Sequence, residues 1–203
     1  EPSTLMFAKL SPDGRKAAYV VKNNIYAEDL ASGRVTQLTF DGGENIINGT
    51  SDWVYEEEFG IRDGFRWSPD SASIAFWHFD TSRVPVFSMI NNTDSLYPKV
   101  TSFKHPKPGQ TNSAVKVGVV PVAGGYPVWV RTPGDPSDTY IARLEWAGNS
   151  REVVLQHLNR LQNTLTVLIG DASTGEVRTV FTDTDETWVE VMDDFVWLAG
   201  GKG

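Results

Sequence analysis

Apolar and polar positions alternate in short runs along this chain, and the runs reverse at turn-forming residues. Met6 to Leu10 predict a strand, Ser11-Pro12-Asp13-Gly14 a tight turn and Ala17 to Lys22 a second strand, because Pro and Gly supply the backbone angles of a reversal. Asn23-Asn24 predict the next reversal. Ile25 to Leu30 follow as a third strand, Ala31-Ser32-Gly33 turn again, and Val35 to Thr39 form a fourth. Four antiparallel strands in about 35 residues is the size of one propeller blade.

The pattern returns at Phe65-Arg66-Trp67-Ser68-Pro69-Asp70-Ser71, followed by Ile74 to Phe79. After an insertion, a third strand is expected at Val117 to Val122, with Ala123-Gly124-Gly125 where Ala31-Ser32-Gly33 stood before. A third copy runs from Ile141 through Trp146-Ala147-Gly148-Asn149, Glu152 to His157, Leu165 to Asp171, Ala172-Ser173-Thr174-Gly175 and Val177 to Thr182. A fourth begins at Phe195-Val196-Trp197-Leu198. The expectation is an all-β chain, an incomplete β-propeller of four-stranded antiparallel blades. Blade 1 spans about 5–40, an acidic segment 50–60, blade 2 about 64–131 with its insertion, blade 3 about 140–183, and the start of blade 4 about 194–203.

The residue before each first turn recurs as Leu10, Trp67, Trp146 and Trp197, at separations of 57, 79 and 51 residues, so the blades are decorated and not strictly repeated. Large aromatics bury the most area, and these tryptophans read as packing between adjacent blades. Three blades and a beginning cannot close a ring. The sequence therefore reads as part of a longer propeller, and its uncovered blade faces favour self-association.

Composition narrows the function. The 203 residues are 40% hydrophobic and 22% charged, as in ordinary globular proteins, and no apolar run approaches the roughly 18 residues of a membrane span. The first residues, EPSTLMFAKL, carry no signal-peptide pattern. A net charge of −8 argues against nucleic acid as a partner. The absence of cysteine excludes disulfides, thiolate metal sites and a Cys nucleophile. His78, His105 and His157 are widely spaced, without an HExxH pair, and predict packing or surface roles; no metal or other cofactor is called for. Gly124-Gly125 and Gly200-Gly201 lack a following Lys-Ser or Lys-Thr and read as turns, and no G-x-S-x-G elbow is present.

The remaining chemistry lies in Glu56-Glu57-Glu58. By composition alone the triplet reads as a solvated acidic loop, but Trp53-Val54-Tyr55 on one side and Phe59 on the other point to a held segment. In a strand, neighbouring side chains face opposite sides, so Glu57 and Glu58 converge only where the chain is helical or irregular. Two converging carboxylates can accept charge-assisted hydrogen bonds from a compact cation.

The run Thr50-Ser51-Asp52-Trp53-Val54-Tyr55-Glu56-Glu57-Glu58-Phe59, followed by Phe65-Arg66-Trp67-Ser68-Pro69-Asp70, resembles the signature of the dipeptidyl peptidase IV family. Ser82-Arg83-Val84-Pro85, Tyr97-Pro98-Lys99, His105-Pro106-Lys107-Pro108-Gly109-Gln110-Thr111-Asn112 and Asn159-Arg160-Leu161-Gln162-Asn163 follow in the family's order. The resemblance implies a parent whose eight-bladed propeller caps an α/β-hydrolase domain, a serine peptidase that removes Xaa-Pro or Xaa-Ala dipeptides from peptide amino termini. It implies that Glu57 and Glu58 hold the substrate's ammonium, that Glu56 is structural, and that Arg160 and Asn163 hydrogen-bond within or between blades. The family's substrate-backbone arginine would precede Glu1, and the catalytic domain would follow Gly203. This chain alone is then expected to be inactive, with peptides bearing a free amino terminus and its own catalytic domain as partners. A periplasmic or secreted location also follows from the resemblance. Two other readings stay open: a propeller-type protein-interaction module, and a catalytically dead relative.

Overall fold

A computed structural model describes residues 4–197. Strands β1 (Met6–Leu10), β2 (Lys16–Val21), β3 (Asn24–Asp29) and β4 (Val35–Gln37) form one antiparallel sheet in chain order, the first blade. In its first turn Ser11 Oγ donates to Asp13 Oδ1 at 2.6 Å and the Gly14 N–H donates to the Ser11 carbonyl at 2.8 Å. The next reversal falls one residue earlier than the Asn-Asn pair suggests. Lys22 (φ 49°) and Asn23 (φ 59°) are both left-handed, and Asn24 already pairs with Val21. A two-residue loop with both φ values positive matches the twist of the flanking strands.

The second blade departs from expectation in an informative way. It contains β5 (Ile46–Asn48), helix α1 (Trp53–Phe59), β6 (Phe65–Trp67), β7 (Ser73–Asp80), the hairpin β8 (Val86–Asn91) and β9 (Lys99–Lys104), then β10 (Ala114–Pro121) and β11 (Val128–Trp129). Both β5 and β6 pair with the same edge of β7, β5 opposite Asp80 to His78 and β6 opposite Phe76 to Ile74. They are one strand cut in two. Opposite the cut, Trp77 accepts from the Gly49 N–H at 3.2 Å and donates its own N–H to the Gly64 carbonyl at 3.0 Å, while the Gly64 N–H donates to Gly49 at 2.9 Å. Residues 50–63 therefore loop out of an edge strand of the sheet and return to it. Blade 2 begins at Ile46 and not near residue 64, and its third strand starts at Ala114 and not at Val117. The insertion contains a separate two-stranded sheet, β8–β9.

The cut tolerates no side chain at its return point, since a Cβ on Gly64 would lie 2.2 Å from the Thr50 carbonyl oxygen. Gly64→Ala is expected to destabilise the chain by about 2 kcal/mol through backbone displacement. Gly43→Ala, with nothing within 4 Å of its added Cβ, is expected to be near neutral. Urea midpoints of the two variants measure the difference, and equal midpoints would count against the closure.

Strands β12 (Thr139–Trp146), β13 (Glu152–Asn159), β14 (Thr164–Asp171) and β15 (Val177–Thr184) form the third blade in chain order. Residues 194–197 form no strand, and the rest of the expected fourth blade, 198–203, lies outside the described residues. Among the described residues no helix is long and apolar enough to cross a membrane.

Blade 2 is covered on both faces, and period-two alternation assigns each face. Ile74 and Phe76 of β7 join Val20, Ile25 and Leu38 of blade 1 in one core. Ala75, Trp77 and Phe79 join Ile141, Leu144 and Leu155 of blade 3 in the other. The recurring tryptophans pack at these junctions and also bond across them. Trp67 Nε1 donates to the Lys9 carbonyl at 3.2 Å, and Trp146 Nε1 donates to the Arg66 carbonyl at 3.1 Å, the equivalent position one blade on. The turns repeat the device: the Asp13 N–H donates to Ser71 Oγ at 3.1 Å and the Asp70 N–H to Ser150 Oγ at 3.0 Å. Leu10, at the corresponding position of blade 1, is 64% exposed. Lys9 donates to the Phe65 carbonyl at 2.9 Å and pairs with Asp63, pinning the chain where the excursion rejoins its strand.

Candidate functional site

The excursion becomes a helix because its ends carry helix signals. Asp52 at the N-cap (φ −86°, ψ 179°) accepts the Tyr55 N–H on Oδ1 at 2.9 Å, and Gly60 at the far end is left-handed at φ 66°. Seven residues make less than two turns, too short to persist alone. Tertiary contacts hold the helix. Val54, Tyr55 and Phe59 are buried, with the Tyr55 ring edge-on to Phe79 at 4.8 Å and Phe59 edge-on to Tyr140 at 5.2 Å. The Tyr55 hydroxyl accepts the Ile141 N–H at 2.9 Å. Trp53 meets His105 of the insertion edge-on at 4.2 Å. At the start Ser113 Oγ donates to Asp52 Oδ2 at 2.5 Å, and at the end Arg143 Nη1 donates to the Phe59 carbonyl at 3.0 Å.

The three glutamates of the helix are exposed. Successive residues turn by about 100° in a helix, so Glu57 and Glu58 lie on either side of the Val54 line while Glu56 falls beyond Tyr55 and Phe59. Glu56 is spent on Arg62, 3.1 Å away. Among the described residues neither the Glu57 nor the Glu58 side chain makes a hydrogen bond or an ion pair with the protein. The site thus presents two unneutralised carboxylates on a tethered helix, an arrangement that accepts charge-assisted hydrogen bonds from a compact cation.

Burial pushes the Asp52 carboxyl above its ordinary pKa, against the opposing hydrogen bonds from Ser113 and Tyr55. A carboxyl that is easier to protonate in the folded state stabilises fully below its unfolded pKa of about 3.9 and progressively less as pH rises through the folded value. Asp52→Asn keeps a cap acceptor and removes the charge, so its stability relative to the parent is expected to rise between about pH 3 and pH 7. Asp52→Ala loses the cap and is expected to cost about 1 kcal/mol. Urea titrations across that range check both, and a pH-independent Asn difference would contradict the burial argument.

The other residues singled out in the sequence lie apart. His78 Nε2 sits 3.1 Å from Asp41 Oδ2, its ring is edge-on to Trp129 at 5.3 Å, and burial lowers its pKa. Burial lowers that of His157 as well. Among the described residues no three His, Asp or Glu side chains gather as a metal site. Arg160 donates to the Gln110 carbonyl at 2.8 Å, and Asn163 Oδ1 accepts from Asn159 Nδ2 at 2.7 Å across the β13–β14 turn. The supports that sequence reasoning missed are Asp52, Ser113 and Arg143, whereas Tyr55 stands in the apolar flank that pointed to a held segment. Asp52 and Gly60 were visible as a cap residue and a stop around an apolar run. Ser113 and Arg143 had no local signal.

The family described as the dipeptidyl peptidase IV (DPP IV) N-terminal region matches residues 1–203. The chain is 33% identical over 199 residues to Inactive dipeptidyl peptidase 10 of Rattus norvegicus, covering 96% of this chain and 25% of that protein. It is 35% identical over 179 residues to Prolyl endopeptidase FAP of Homo sapiens, covering 84% of this chain and 23% of that protein. The crystal structure of Porphyromonas gingivalis dipeptidyl peptidase 4 superposes with a TM-score of 0.85 at 36% identity, over 91% of this chain and 26% of that chain. The chain spans about a quarter of the length of these relatives.

Proposed function

Because the chain belongs to the dipeptidyl peptidase IV family, as part of its N-terminal region, we propose that helix α1 binds the amino-terminal ammonium of a peptide substrate through Glu57 and Glu58. One observation carries this reading: of three adjacent exposed glutamates, Glu56 is neutralised by Arg62 and the side chains of the other two have no partner among the described residues. Solvated acidic loops do not hold their carboxylates in register, whereas this helix is tied at its cap, its buried face and its last carbonyl. A fixed anion pair measures distance from the substrate's free end, which turns a general peptidase into one that removes short amino-terminal units. In this proposal the parent's α/β-hydrolase domain supplies the serine nucleophile and prefers Pro or Ala as the second residue.

The test uses the full-length protein and a Gly-Pro amide with its amino group free or acetylated. The free form is expected to be cleaved with a kcat/KM at least about tenfold higher, since charged hydrogen bonds contribute roughly 1.5–3 kcal/mol each. KM for the free form is expected to rise as pH passes the amine's reference pKa of about 8, because the deprotonated amine is a weaker partner. Equal handling of both forms would overturn the reading.

A second reading is favoured by the 33% identity to a relative named as inactive: a parent that retains the propeller without peptidase activity. Turnover abolished by a serine-directed inhibitor selects the peptidase. Peptide binding that depends on the glutamates, without turnover, selects the inactive protein.

A further inference from the structure

A helix of under two turns leaves its last carbonyls unpaired unless something outside it donates to them. Here the donor comes from blade 3. In β12, Ile141 pairs with His157 and Arg143 with Gln156, so Ala142 is an extra residue, a bulge. Both sides of the bulge reach helix α1. The Ile141 N–H goes to the Tyr55 hydroxyl at 2.9 Å, and Arg143 Nη1 goes to the Phe59 carbonyl at 3.0 Å, directly after Glu58. The rest of the Arg143 fork is occupied by Asp193, with Nε 2.7 Å and Nη2 2.6 Å from Oδ1. Asp193 is itself placed by its neighbour: Gln156 donates to the Met192 carbonyl at 2.6 Å and accepts the Met192 N–H at 2.9 Å. Gln156 stands opposite Arg143 in the sheet.

We propose that Arg143 is a positioning residue for Glu57 and Glu58, aimed by Asp193 on the segment that leaves blade 3; the inference rests on the ammonium-binding reading of those glutamates. Guanidinium is a planar fork that can serve a carbonyl and a carboxylate together, and a lysine can serve only one well. Without the Phe59 bond, the last turn of the helix, which bears both glutamates, keeps only its ring packing against Tyr140 and loses the hydrogen bond that fixes its direction relative to blade 3. Misplacement by about 1 Å can cost up to about a hundredfold in rate. The segment Met192–Asp193 thereby links the geometry of the ammonium site to the chain that follows blade 3.

The experiment compares Arg143→Met, Arg143→Lys and Asp193→Asn in the full-length protein, each with free and N-acetylated Gly-Pro amide, alongside thermal melting. Arg143→Met is expected to lower the free-to-acetylated ratio of kcat/KM about tenfold, mainly through KM, with Asp193→Asn intermediate and Arg143→Lys recovering part of the loss. If Arg143→Met does not fold, Arg143→Lys decides, with an expected fall of about threefold in the same ratio. An unchanged ratio, or equal losses on both substrates, overturns the inference and leaves Arg143 a support of the fold. The double variant Glu57→Gln/Glu58→Gln separates the two levels. If it leaves the ratio unchanged, the ammonium reading itself fails and the inference with it. If it lowers the ratio while Arg143→Met does not, only the inference fails.

Discussion

In the full-length protein, replacing both Glu57 and Glu58 by Gln is expected to lower kcat/KM for a dipeptide with a free amino group by about a hundredfold or more while leaving the fold intact. The fold should survive because both side chains are exposed and neither is bonded to the protein among the described residues. Glutamine is a sound helix former, so the seven-residue helix keeps its propensity. What disappears is charge facing a cation, and each charged hydrogen bond of this kind is worth roughly 1.5–3 kcal/mol. Glu56→Gln should do much less, since its carboxylate is already engaged by Arg62 at the surface, where such pairs contribute about 0–1 kcal/mol. Acetylating the substrate should shrink the effect of the double variant, because the partner is then already gone. Parent and double variant cleaving free and acetylated substrates in the same ratio would return the glutamates to a solvated surface.

Trp77→Ala is expected to be the most damaging single change to stability, costing about 3–5 kcal/mol. The side chain is 0% exposed in the middle of β7, and its indole N–H donates to the Ile141 carbonyl at 2.9 Å. Truncation leaves a cavity and also strips a buried carbonyl of its partner. The Ile141 peptide is bracketed, its N–H held by Tyr55 and its carbonyl by Trp77, so the loss should also loosen the seat of helix α1. Trp77→Phe keeps most of the volume and should cost clearly less. Urea midpoints of this chain measure both, and a Trp77→Ala cost under about 1 kcal/mol would show that the blade 2–blade 3 core does not depend on this residue.

The two variants separate the site from its scaffold, and the scaffold is what the sequence displays more openly. The Ser-Pro-Asp-Gly and Ser-Pro-Asp-Ser turns, the aromatic before each of the later ones and the short apolar runs of β7 and β13 are local features. They are readable because turn chemistry and strand period act over two to four residues. Errors of one to three residues, as at Asn24 and Ala114, are of the kind expected where an end is set by the partner strand. The acidic triplet is a local feature too, and it lies in the helix Trp53–Phe59 and not in a strand.

Three features are not readable along the chain. The edge strand of blade 2 formed by β5 and β6 is cut, and its halves line up only because both pair with β7, a fact of register between distant residues. Which glutamate is neutralised depends on how the chain beyond the left-handed Gly60 returns Arg62 to Glu56. The support of the site comes from Ser113 and Arg143, 61 and 84 positions from the groups they hold. Local chemistry therefore determines the blades, the turns and the presence of an acidic segment. Tertiary structure alone decides where that segment sits and what steadies it, because a helix of under two turns takes its stability from bonds to distant strands, and those exist only once the blades have packed.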